Sequence, residues 1–151
     1  MIPDHIERET LIDAPVDVVW RVVTEPAQIS RWFSDAAELD LRPGGQGAIS
    51  WKEHGTVDLR VERVEPPHLF SFRWVYPEGA EPRAGNSTLV EFSLSEEGDG
   101  TRLRVVESGL RAIEWSEEQK VEFLESHTRG WARHIGDLEE YVTQQRQGAA
   151  R

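Results

Sequence analysis

Two periods run through this chain. Between residues 48 and 107 apolar side chains recur at every second position, and after Ser116 they recur at every third or fourth. These are the spacings of half-buried strands and of an amphipathic helix. Val57, Leu59 and Val61 alternate with Asp58, Arg60 and Glu62. Phe70, Phe72, Trp74 and Tyr76 alternate with Ser71, Arg73 and Val75. Thr88, Val90, Phe92 and Leu94, and then Leu103, Val105 and Glu107, continue the pattern. Ala48 to Trp51 reads as a further short strand, and Ile6 to Asp13 as a less regular one. The breaks fall where turn residues cluster: Arg42-Pro43-Gly44-Gly45, His54-Gly55, Pro66-Pro67, the Pro77 to Asn86 loop, and Glu97-Gly98-Asp99-Gly100.

Helical signals flank this block. Asp13 is placed to cap a short helix, with Pro15 in its first turn and Val16, Val19, Trp20 and Val23 on one face. Pro26 opens a second short segment carrying Ile29, Trp32 and Phe33. At the other end Ser116 and Gln119 form a capping box. The stripe Val121, Leu124, Thr128, Trp131, Ile135, Leu138, Val142 then spans 21 residue steps, about 32 Å. That helix is expected to end near Gln145, leaving 147–151 as a frayed tail. Strands this close in sequence pair as antiparallel hairpins, and one long amphipathic helix must pack on the resulting sheet. The expectation is an α+β fold: a curved antiparallel sheet of six to seven strands round a C-terminal helix, in a single domain over 1–151 with its core at about 6–145.

Composition narrows the range of functions. The chain of 151 residues carries 28 acidic against 17 basic side chains, a net charge of −11. Such a surface repels phosphate backbones and anionic lipid, which argues against nucleic acid and membrane partners. No apolar run reaches the length of a membrane span, and Met1 to Arg8 has no signal-peptide core. The absence of cysteine removes thiolate chemistry and suits a cytoplasmic protein.

Ile12-Asp13-Ala14-Pro15 with Val19-Trp20, followed by Thr24-Glu25-Pro26 and Trp32-Phe33, resembles the opening of the activator of Hsp90 ATPase homologue 1-like family, in the START/Bet v 1-like (SRPBCC) superfamily. Arg42 to Gly45 resembles its turn into the second strand, and Gly100-Thr101-Arg102-Leu103 through Ser108-Gly109 its last strand. His127, Gly130-Trp131 and Leu138 resemble its terminal helix. The resemblance covers about residues 6–145 and implies the helix-grip fold, with an apolar cavity between sheet and helix. Relatives in that superfamily bind lipids and aromatic metabolites, cyclise polyketides, or regulate a chaperone.

Three functional expectations follow, in this order. The first is binding of a small apolar or aromatic molecule, with Trp32, Trp51, Phe72, Trp74, Phe92, Glu107, His127, Thr128 and Trp131 as the ligand-binding set. Rigid aromatic side chains give a ring-bearing ligand a large contact area, and the Pro77 to Asn86 loop and the segment around Trp32 would cover the mouth. An interior filled by Trp74 and Trp131 would count against it. The second is a cyclase or dehydratase using Glu107, His127 or His134 as acid and base. Glu107 shares the inward parity of Leu103 and Val105, where an unpartnered carboxylate is costly; a strand ending there would instead give it water or an arginine. His127, Trp131 and His134 share one helical face. The third is a protein partner: an Hsp90-type chaperone, or a second copy of the chain if Ile113 and Phe123 are exposed. No cofactor is implied. His127 and His134 are two turns apart, and His5, His54 and His68 fall in loops or at the terminus, so no zinc set forms.

Overall fold

The computed structural model describes residues 3–149 apart from His54 and Glu78. The turn expected at His54-Gly55 therefore lies partly outside the described residues. The elements in order are β1 (His5–Ile12), α1 (Val16–Thr24), α2 (Pro26–Trp32), β2 (Ala36–Leu39), β3 (Gln46–Trp51), β4 (Gly55–Glu65), β5 (Leu69–Trp74), β6 (Thr88–Glu97), β7 (Gly100–Ser108), a short 3₁₀ turn (Leu110–Ala112) and α3 (Glu117–Ala149). All seven strands form one antiparallel sheet ordered β1-β7-β6-β5-β4-β3-β2.

The alternation seen in the sequence becomes a sheet with two unlike faces. Val61, Phe72, Val90, Phe92, Leu103 and Val105 point inward and are buried. The opposite face carries charge: Arg104 grips Glu7 with two bonds of 2.8 and 2.9 Å, and Arg102 grips Glu97 in the same way. Arg73 also lies on this outer face, beside Glu62 and Ser87. α3 closes the apolar face with Trp131, Ile135, Leu138 and Val142, each burial contributing roughly 2 kcal/mol. The turn between β2 and β3 depends on glycine. A Cβ at Gly45 would lie 2.0 Å from the Asp40 carbonyl oxygen, and this close approach lets Gly44 and Gly45 pair with Val61 of β4.

Several expectations need correction. β2 has no counterpart in the sequence reading, because Ala36–Leu39 is too short to show a period and forms through pairing with β3. Asp13 does not cap α1; Pro15 occupies that position and its carbonyl takes the first amides. The capping box at Ser116 and Gln119 is formed, with both reciprocal bonds present. α3 runs on to Ala149, so residues 147–149 are helical.

The inward stripe of α3 is also shifted in its first turns. Val121 and Thr128 are exposed, and Thr128 bonds back to the Leu124 carbonyl. The inward positions belong to Lys120, whose Nζ donates to the Arg111 carbonyl at 2.8 Å, and to His127. Ile113 is buried and Phe123 is half-buried, stacked on His127 and packed on Trp115, so neither is the exposed apolar surface expected of them. The expected roomy cavity under the helix is filled by side chains. The small void that remains holds about 20 Å³ and is lined by apolar residues including Phe33, Phe72 and Phe92.

Candidate functional site

One row of residues across three strands meets one face of α3. On β5, Trp74 pairs with Thr88 of β6, and Val90, two residues further along β6, pairs with Glu107 of β7. These inward parities bring the Trp74 indole, the Thr88 hydroxyl and the Glu107 carboxylate together. From α3, His127 and Trp131 reach the same point, because positions four apart lie one above the other on a helix.

The carboxylate of Glu107 is 2% exposed and accepts four hydrogen bonds. Trp74 Nε1 and Thr88 Oγ1 donate to Oε2 at 2.7 and 2.6 Å. Trp131 Nε1 and His127 Nδ1 donate to Oε1 at 2.9 and 2.6 Å. Burial alone pushes the Glu107 pKa up. The hydrogen bond and charge of His127, with donation from Thr88 and Trp131, outweigh that and hold the group below its ordinary 4.5. The group is therefore ionised at neutral pH, and a carboxylate only accepts. His127 must carry its proton on Nδ1, which leaves Nε2 with no protein hydrogen bond among the described residues. Glu107 thus meets neither water nor an arginine; it orients an imidazole, as a buried carboxylate does for a general base.

Beside this network lies an open recess of about 980 Å³, bounded by residues 30–35 of α2 and the turn after it, residues 51–53 at the end of β3, and one face of α3 between 126 and 137. Trp51, half-buried, lines it, and Trp74 and Trp131, almost wholly buried, lie behind. The indole nitrogen of Trp51 donates to the Phe33 carbonyl at 2.8 Å, pinning the end of β3 to the end of α2. His134 also lines the recess. Its Nδ1 is buried without a hydrogen-bond partner, and its ring packs edge-on to Phe33 at 4.7 Å. Burial pushes the His134 pKa down, with nearby Arg133 adding to the effect against the opposing pull of Asp137.

Among the side chains named from sequence, the recess gathers Trp32, Trp51, Trp74, His127, Trp131 and His134. Glu107 lies behind its wall. Phe72 and Phe92 belong to the interior void instead, and Thr128 faces away. The described part of the Pro77 to Asn86 loop does not border the recess; α2 does. Sequence reasoning missed three contributions. Phe33, together with the predicted Trp32, lines both the interior void and the recess and so stands between them. Thr88 was visible as an inward polar residue in an otherwise apolar strand face. Arg31, Lys52, Arg129 and Arg133 surround the mouth. Of these, only the Arg129/Arg133 pair had a periodic signal, since the two lie one helical turn apart.

A curved antiparallel sheet, paired short helices after the first strand and a long closing helix define the helix-grip class. Comparison with known proteins gives the family. Residues 13–143 match the family described as "Activator of Hsp90 ATPase homolog 1-like protein", and the chain belongs to it. A protein of Streptomyces halstedii named "Putative polyketide cyclase" is 30% identical over 100 residues, covering 50% of this chain and 92% of that protein. The crystal structure of CalU16 from Micromonospora echinospora is 30% identical with a TM-score of 0.67, over 95% of this chain and 78% of that one. MLL2253 from Mesorhizobium loti is 25% identical with a TM-score of 0.76, over 93% and 97%. No helix among the described residues is long and apolar enough to cross a membrane.

Proposed function

We propose that this protein binds a small ring-bearing molecule in the open recess between α2, the end of β3 and α3. The observation that carries this reading is a concavity of about 980 Å³ walled by the half-buried rings of Trp51, His127 and His134, backed by the buried Phe33, Trp74 and Trp131. A volume of this order suits a drug-sized ligand, and fixed aromatic faces bind planar rings at little entropic cost. The similarity to a protein named as a polyketide cyclase fits a ligand of this kind. The ligand sits at the mouth and not in the small interior void, which has no room for it. Native mass spectrometry of the purified protein, with tryptophan-fluorescence titration against a panel of polycyclic aromatics, tests the reading. A stoichiometric passenger or saturable quenching is expected. No passenger, together with no quenching by any of the panel, would sink it.

A second reading is favoured by the Glu107–His127 pair. His127 lines the recess with Nδ1 held by the carboxylate and Nε2 unbonded, which is the arrangement of a proton-transfer group in a cyclase- or dehydratase-type reaction. If the passenger is an open-chain polyketone, the protein should turn it over. His127→Gln should then lose roughly 100-fold or more in rate while still binding. Equal turnover by this variant would remove His127 from any such role.

A further inference from the structure

The recess has an aromatic wall, but its rim is cationic. Arg31, Lys52, Arg129 and Arg133 all line it, and none has a carboxylate within ion-pair distance among the described residues. This is unusual for the molecule. Acidic residues outnumber basic ones by 28 to 17, and Arg42, Arg63, Arg102 and Arg104 each hold a partner within 4.0 Å. Three acids share the rim: Asp35, Glu53 and Asp137. Of these, Asp35 is already taken by the backbone N–H of Lys52 at 2.7 Å. The rim therefore carries a small positive excess on a strongly negative protein.

Arg129 and Arg133 sharpen the point. Like charges one turn apart weaken a helix slightly, and glutamates were available to separate them, as elsewhere along α3. Each of these guanidinium groups at the concave mouth can pair with a carboxylate through two parallel hydrogen bonds. The Trp51 indole would hold the ring system to which that carboxylate is attached.

We infer that the recess takes an anionic aromatic molecule: a flat ring system against the half-buried Trp51, with a carboxylate directed to Arg129 and Arg133 and supported by Arg31 and Lys52. This rests on the binding reading above and adds the charge of the ligand to it. The negative body of the protein repels anions, so the rim also decides where such a ligand approaches.

Matched probes separate the two claims. 2-Naphthoate and 2-naphthamide have nearly the same shape and differ in charge. Titrated against the full chain at low ionic strength and read by tryptophan quenching, the carboxylate should bind about tenfold tighter than the amide. Raising salt to about 0.5 M should narrow the gap. Arg129→Gln combined with Arg133→Gln should bring naphthoate to within about twofold of the amide while leaving the amide unchanged. Arg8→Gln, on the β1 edge and outside the recess, should have no effect. If the amide binds as tightly as the carboxylate, the charge inference falls and the aromatic site stands. If the carboxylate is preferred but the double variant does not weaken it, the anion binds elsewhere and the assignment to this rim falls. If neither probe binds, the charge inference falls, and the aromatic-binding reading is then decided by the passenger analysis and the wider panel.

Discussion

Two volumes lie on either side of Phe33, and they use aromatic residues in opposite ways. In the interior, Phe70, Phe72 and Phe92 pack ring on ring, with Phe70 and Phe92 stacked at 6.2 Å, and the space left is about 20 Å³. Around the recess the rings are tryptophans, and their polar edges are tied down. Trp51 donates to the Phe33 carbonyl, and Trp74 and Trp131 donate to Glu107. A phenyl ring has no handle and is fixed only by filling space. An indole held by its N–H has its orientation fixed by a directional bond as well as by the rings it touches, here Phe33 against Trp51, Trp74 and Trp131. The difference lies in what fixes the rings: packing alone in the interior, and packing together with N–H hydrogen bonds beside the recess.

The largest way to break that contrast is to remove the anchor. Glu107→Leu leaves two indole N–H groups, the Thr88 hydroxyl and His127 without their shared acceptor, and should cost about 4 kcal/mol in a urea unfolding experiment. A loss below about 1 kcal/mol would mean that the indoles are held by packing after all. Glu107→Gln, which keeps one acceptor oxygen, should lose less.

Removing the partition comes next. Phe33 stacks on Trp131 with ring centroids 5.5 Å apart and packs against Trp51, Trp74 and His134. Phe33→Ala should cost about 3 kcal/mol and join the void to the recess, so that a neutral aromatic probe such as 2-naphthamide binds more tightly. Unchanged probe affinity in a folded variant would show that the two volumes stay separate without it. Thr88→Val removes one donor and little volume, while Trp74 still donates to the same oxygen; its expected cost is about 1 kcal/mol.

Acid is the gentlest perturbation. The pKa of Glu107 is lower folded than unfolded, so its contribution is present above about pH 4.5 and is lost as pH falls through the depressed folded value. His134 is also depressed, from 6.5, so the unfolded chain takes up its proton first and stability begins to fall below about that pH. Unfolding midpoints followed from about pH 7 to about pH 2 should decline in two stages, and His134→Phe should remove the upper one. A flat profile down to pH 5 would contradict the buried, neutral state of His134.

The sequence made the sheet legible because one face meets a core and the other meets water, so the period of two shows within the strands between Val57 and Glu107, broken by a bulge after Val61. The long helix was legible for the same reason in its second half. Its first half was not, since Lys120 and His127 are turned inward by polar partners, the Arg111 carbonyl and Glu107, which periodicity of apolar residues does not register. Parity alone sufficed to turn Glu107 inward, but its partners come from residues 74, 88, 127 and 131, and only the folded register brings them together. Phe33 is the clearest miss. It follows Trp32 at the end of a short helix and looks like ordinary core; its place between two volumes is a property of the whole fold.

The chain has only two lysines. One, Lys120, is buried with its Nζ donating to a backbone carbonyl, and the other, Lys52, stands exposed at the mouth of the recess. Amine-directed reagents applied to the folded protein will thus find one ready side-chain target. A fluorophore or cross-linker attached there reports from the rim itself, with no engineered attachment point. Occupancy of the recess should shield Lys52 from acylation while Lys120 stays unreactive throughout.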